Sequence, residues 1–133
     1  MQRRLFLISA LAGSLASWIP TAATAVERKT FDPASFQAAQ QRGARILVDI
    51  SATWCPTCKA QEPIVDSLAQ RPDNRDLVIF SVDFDSQKPV VREFGARSQS
   101  TLIAFRGKTE TARSVGDTDP VSIAALVQST LTK

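Results

Sequence analysis

From Val26 onward, short unbroken apolar runs alternate with stretches whose apolar residues recur at helical spacing, and turn-forming residues separate the two patterns. Val26 to Phe31 reads as a short strand. Asp32-Pro33 then opens a helix, with the aspartate as N-cap and the proline at the first helical position, running to about Gln41 before Gly43 closes it. Arg45 to Ser51 holds Ile46, Leu47, Val48 and Ile50 around one carboxylate, Asp49, and predicts a buried strand. Pro56 to Gln70 places Ala60, Ile64, Val65, Leu68 and Ala69 on one helical face. Leu77 to Val82 is a second buried strand, and Gln87 to Phe94 a short helix ended by Gly95. Thr101–Phe105 and Glu110–Val115 flank Arg106-Gly107-Lys108 as a hairpin. Asp119-Pro120 repeats the cap-plus-proline signature, and Ile123, Val127 and Leu131 mark the core side of a last helix. This order predicts an α/β fold, a mixed sheet between helices, with the two apolar strands central and parallel.

The segment ahead of that domain has a different grammar. Arg3 and Arg4 precede a mostly apolar stretch, Leu5 to Ile19, and Ala23-Thr24-Ala25 supplies the small residues that a signal peptidase accepts. The expected division is a signal peptide over residues 1–25 and one domain over 26–133, which places the domain in the periplasm. Arg3-Arg4-Leu5-Phe6-Leu7 is also close to the twin-arginine export spelling, with Gln2 where that signal has Ser or Thr. The alternative is an uncleaved membrane anchor, although Ser9, Gly13, Ser14, Ser17, Pro20, Thr21 and Thr24 dilute the run. Without Arg3 and Arg4 the 16 basic residues fall to 14 against 13 acidic ones. So balanced a domain gives no support to a nucleic-acid partner.

Composition narrows the chemistry. The chain has no His, so a Ser-His-Asp or Cys-His nucleophile and a His-bound metal are excluded. Both of its cysteines stand in Trp54-Cys55-Pro56-Thr57-Cys58-Lys59, after a buried strand and at the mouth of a helix. There the helix N-terminus favours a Cys55 thiolate, and Cys58, three residues on, lies on the same face within reach of a small-ring disulfide. Cys55 is expected to face solvent and attack, and Cys58 to lie deeper and resolve the mixed disulfide. Two other readings stand beside this one. A structural disulfide would close too short a loop to remove much unfolded-state entropy. Half of a metal site would need a second chain to complete it.

At these residues the sequence resembles the thioredoxin-like family. The stretch from Ile46 through Asp49, Trp54, Cys55 and Cys58 to Lys59 matches that family's strand-to-active-site segment, and Pro63 falls at its helix-kinking proline. Val82-Asp83-Phe84-Asp85, Phe94-Gly95-Ala96-Arg97, Thr101–Phe105, Gly107 and Val115-Gly116 continue the match, which leaves the N-terminal helix of full thioredoxins without a counterpart. The resemblance implies a thioredoxin-like fold and a thiol–disulfide oxidoreductase acting on protein cysteines. It implies a redox-active Cys55–Cys58 disulfide with no other cofactor and no metal, and a monomer with protein clients and a redox partner. Asp49, costly to bury in its charged form, takes the role of general acid/base for Cys58. Trp54, Pro56, Thr57, Gln99, Ser100 and Thr101 form the substrate-facing rim.

One departure stands out. The family's cis-proline before the fourth strand is replaced by Ser100, within Ser98-Gln99-Ser100-Thr101. A cis bond before Ser would cost about 3–4 kcal/mol, so a trans Gln99–Ser100 peptide is expected. The small polar side chain is expected to leave the sulfurs less shielded. That either tunes substrate choice and redox poise or, in the alternative reading, opens a binding module that holds a metal or iron–sulfur cluster or a partner without turnover. Pro56-Thr57 between the cysteines, with no His, points to a potential roughly between −270 and −120 mV.

Overall fold

The computed structural model describes residues 26–132, so the expected signal segment lies outside the described residues. Each proline-led helix starts where its cap is spelled. Asp32 accepts from the Ser35 amide at the head of α1 (Pro33–Gln41), and Asp119 accepts from the Ser122 amide at the head of α4 (Pro120–Gln128). Between them lie β1 (Glu27–Thr30), β2 (Arg45–Ser51), α2 (Pro56–Ala69), β3 (Leu77–Asp83), α3 (Lys88–Glu93), β4 (Thr101–Arg106) and β5 (Thr109–Val115).

The five strands form one mixed sheet in the order β1-β3-β2-β4-β5. The apolar pair β2 and β3 is parallel, as expected, with Asp49 opposite Ser81; β4 runs antiparallel to β2, with Ile50 opposite Thr101. Strand β2 thus occupies the centre, and the loop that follows it is delivered to one end of the sheet. Thr111 is an extra residue on β5, a bulge between the Ala104–Ala112 and Phe105–Glu110 pairs.

Alternation along the buried strands sends neighbouring residues to opposite faces, giving two cores. Ile46, Val48, Ile50, Val78, Phe80 and Ile103 face α1 and α3, where Phe31, Phe36, Phe94 and Phe105 join Phe80 in ring contacts of 5.3–6.1 Å. Leu47, Ile79, Leu102 and Ala104 face α2 and α4 through Val65, Leu68, Ile123, Leu126 and Val127.

Two packing expectations need correction. On α2, Ala60 is exposed and the next residue, Gln61, is buried, because the helix turns that face toward the loop before β4. Leu131 is 57% exposed: the chain tightens into a 3-10 turn over Ser129–Leu131, which brings Thr130 inward instead. Thr130 is there for Arg45. The guanidinium of that fully buried arginine donates to Thr130 Oγ1, the Asp73 carbonyl, Asp76 Oδ1 and Asn74 Oδ1 at 2.6–2.9 Å.

Candidate active site

The C-terminal end of β2 runs straight into the site. After Ser51 the chain turns so that the Cys55 amide donates to the Ala52 carbonyl, and Cys55 becomes the N-cap of α2. Its Sγ accepts the Cys58 backbone N–H at 3.1 Å. Unpaired N–H groups of a helix start satisfy a capping acceptor and favour negative charge on it. Cys55 and Cys58 are joined as a disulfide, with their Cα atoms 5.3 Å apart.

Burial of the two sulfurs differs from expectation. Cys55 is 1% exposed and Cys58 7%, so the residue expected at the surface is the deeper one. Ser100 contributes to the cover of both sulfurs. The Gln99–Ser100 bond is trans, as expected, since among the described residues no peptide bond is cis. Yet Ser100 does not leave the sulfurs bare: it is 3% exposed, and its Oγ lies 3.1 Å from Cys55 Sγ and 3.0 Å from Cys58 Sγ. Ser100 is also, among the described residues, the one non-glycine with a positive φ, +59°. That left-handed conformation costs an L-residue about 1–2 kcal/mol.

Two donors hold it there. The Ser100 carbonyl accepts the Gly116 N–H at 2.9 Å and the Gln61 side-chain amide at 3.4 Å. The same Gln61 amide donates to the Asp117 carbonyl at 2.7 Å. Gln61, 2% exposed, was not singled out in the sequence. Its signal was a polar residue beside an apolar helical face, which reads as surface until the loop it meets is known.

Asp49 lies on central β2, largely buried, and lines with Cys58, Lys59, Glu62, Arg28 and Asp83 a cavity of about 410 Å³. Burial pushes its pKa from the usual 3.8 up to about 6; Arg28 opposes that rise, while the charges of Glu62 and Asp66 add to it. Arg28 donates to Asp66 at 2.7 Å, so its charge is partly engaged elsewhere. The expected neighbourhood of Asp49 and Cys58 is therefore present, with Arg28 an addition that a residue in the first, mostly exposed strand did not advertise.

The rim is mixed. Trp54 is 56% exposed and donates from its indole nitrogen to Asp85 Oδ2 at 2.7 Å. Pro56 is exposed, and Thr57 and Gln99 are half-buried. Thr101 turns its side chain inward, 1% exposed, and donates to the Ser98 carbonyl at 2.7 Å, so that hydroxyl is not presented to the rim.

Comparison with known proteins gives one answer. The Thioredoxin family model matches residues 27–129. The thioredoxin of Chlamydia muridarum is 35% identical over 82 residues, which cover 62% of this chain and 78% of that protein. The H-type thioredoxin of Brassica campestris is 32% identical over 80 residues, 60% of this chain and 63% of that protein. Among solved structures, Trxlp of Edwardsiella tarda aligns with a TM-score of 0.74 at 40% identity, covering 76% of this chain and 98% of that one. A thioredoxin of Nicotiana alata aligns with a TM-score of 0.66 at 25% identity, covering 77% and 89%. The family match begins at residue 27, so α1 lies inside the segment that matches.

Proposed function

Because this chain belongs to the thioredoxin family and is a thiol–disulfide oxidoreductase, we propose that it works as an exported monomer in which Cys55 attacks, Cys58 resolves and Asp49 moves the proton. The observation that carries the reading is the seat of Cys55: its sulfur caps a 14-residue helix, accepts a backbone N–H and is bonded to its neighbour one turn on.

In the reducing direction, the Cys55 thiolate attacks one sulfur of a client disulfide. The client S–S bond breaks, a mixed disulfide forms, and one client sulfur leaves as thiolate. Asp49, ionised, takes the Cys58 proton through the cavity they share, and the Cys58 thiolate attacks Cys55 Sγ. The mixed disulfide breaks, the second client sulfur leaves as thiolate, and two electrons have passed from the cysteine pair to the client. Run backwards, the same steps oxidise a dithiol.

The rim of Trp54, Pro56, Thr57 and Gln99, with the backbone at Ser100 and Thr101, receives the client chain. Residues 1–25 support export to the periplasm through their charge, apolar run and Ala23-Thr24-Ala25 ending. Against the reading of the CxxC as a metal or cluster site, the described residues bring no third or fourth ligand to the two sulfurs.

Insulin reduction and dithiol oxidation test the activity: both are expected to vanish in Cys55→Ser, and turnover in that variant overturns the assignment. Cys58→Ala is expected to hold clients as mixed disulfides. N-terminal sequencing of the protein from a periplasmic fraction is expected to begin at Val26; a chain retaining Met1 there contradicts cleavage. Equilibration with a glutathione buffer is expected to return a potential roughly between −270 and −120 mV.

A further inference from the structure

We propose that the Ser100 hydroxyl is a catalytic donor shared by the two cysteines, giving its hydrogen bond to whichever sulfur carries the negative charge as an exchange proceeds. The inference rests on the reading that Cys55 attacks and Cys58 resolves, and it deepens that reading.

The hydroxyl is almost equidistant from both reacting atoms, 3.1 Å from Cys55 Sγ and 3.0 Å from Cys58 Sγ. Among the described residues those sulfurs are its hydrogen-bond partners, and Ser100 is 3% exposed. In the disulfide neither sulfur holds a proton, so in both contacts only the O–H can donate. A hydrogen bond to an ionised acceptor is roughly twice as strong as one between neutral groups. The contact is therefore worth most when a sulfur is a thiolate, which is the state that attacks and the state that leaves.

Its placement depends on backbone that a serine does not adopt freely. The +59° φ that aims the side chain at the sulfurs is kept by the Gly116 and Gln61 donors on the Ser100 carbonyl. Gln61, itself anchored on the Asp117 carbonyl, is thereby a positioning residue.

During exchange no proton leaves Ser100. In the free dithiol it donates to the Cys55 thiolate beside the Cys58 N–H. Once Cys55 Sγ is bonded to a client sulfur and neutral, the hydroxyl turns to Cys58 Sγ as that thiol yields its proton to Asp49. The Cys58 thiolate then displaces the client, whose sulfur departs with the electron pair of the broken bond. Arg28, Asp49, Lys59, Glu62 and Asp83 around the cavity, and Asp85 on Trp54, are unchanged by substitution at position 100, so a difference there reports the hydroxyl.

Ser100→Gly and Ser100→Ala both delete the hydroxyl, but only glycine takes a positive φ without strain. The measurements are thiolate absorbance during titration of the reduced protein and its equilibrium with glutathione. Both variants are expected to raise the ionisation midpoint of Cys55 by about one pH unit. With the reduced form less stabilised, both are expected to shift the glutathione equilibrium about tenfold toward the protein disulfide, a potential about 30 mV more negative. An unchanged midpoint in both overturns the proposal, as does a shift in glycine alone, which would report released backbone. If alanine fails to fold, Ser100→Asn takes its place, since asparagine accepts a positive φ and keeps an N–H donor: a midpoint raised in glycine and not in asparagine supports the hydrogen-bond role, and a midpoint raised in both or in neither overturns it. Turnover by Cys55→Ser would end the underlying reading whatever the titrations show, whereas dead Cys55→Ser beside unshifted Ser100 variants ends the hydroxyl role alone.

Discussion

Trp54 hands its indole N–H to the Asp85 carboxylate across 2.7 Å, although 31 residues separate them. The bond joins the residue in front of Cys55 to the turn that leaves β3, and ties down a half-exposed ring.

In the proposed function that ring is contact surface for a client protein and not for a small reagent. Asp85→Ala is expected to raise KM for a protein disulfide a few-fold, as the loss of one exposed hydrogen bond of about 1 kcal/mol implies. The rate with a small aromatic disulfide is expected to stay the same. A parallel fall in both rates would show that the bond serves the cysteines themselves.

Asp49 makes stability depend on pH. Unfolded, it titrates near 3.8; folded, burial raises it to about 6, so the folded state binds the proton more tightly. The stabilisation from that proton is complete below 3.8 and is lost as pH rises through 6. Above pH 7 the ionised carboxylate leaves the fold weaker by up to about 3 kcal/mol. Asp49→Asn is therefore expected to be more stable than wild type at pH 8 and equal to it near pH 4, in urea titrations at both values. A constant difference across the range would place the effect in packing.

The same substitution is expected to slow catalysis selectively. Formation of the mixed disulfide keeps its rate, and resolution by Cys58 loses its rise with pH through about 6, because no base takes the thiol proton. Stopped-flow measurement of the two phases separates them; equal slowing of both would deny Asp49 a role confined to Cys58.

Arg45 is the third lever. Replacing it with Met removes the donor that binds Thr130, the Asp73 carbonyl, Asn74 and Asp76 together; the exposed Asp76 turns to water, while the buried Thr130 and Asn74 oxygens lose their donor. The expected loss is about 2–4 kcal/mol, read from the urea midpoint, with the Cys55 titration unaltered. A loss within about 0.5 kcal/mol, the scale of an ordinary surface substitution, would mean that water replaces the arginine at no cost.

The ladder of elements was legible because its signals are local. Asp-Pro caps sit at both ends of the domain, β2 and α1 begin and end on the residues their patterns mark, and the parallel pair follows from two uninterrupted apolar runs. The Cys55–Cys58 pair was legible for the same reason, and Asp49 gained meaning only through the resemblance to the thioredoxin-like family. What was missed is decided by residues distant in sequence. Arg45 is buried because Asn74, Asp76 and Thr130 gather around it, and Gln61 because the Ser100 and Asp117 carbonyls need a donor. Ser100 looked like a gap in the sulfurs' cover; a positive φ imposed by Gly116 and Gln61 makes it the cover.

Ala52, Cys55 and Cys58 form a small cluster of their own, joined to the phenylalanine-rich core through the partly buried Phe84. Opening the cysteine bond is therefore expected to leave the two larger cores in place. Deuterium uptake by the amides of β2, β3 and β4 should be as slow in the dithiol form as in the disulfide form. The molecule then wears its oxidation state only at one tip, and a partner must read that state by touching it there.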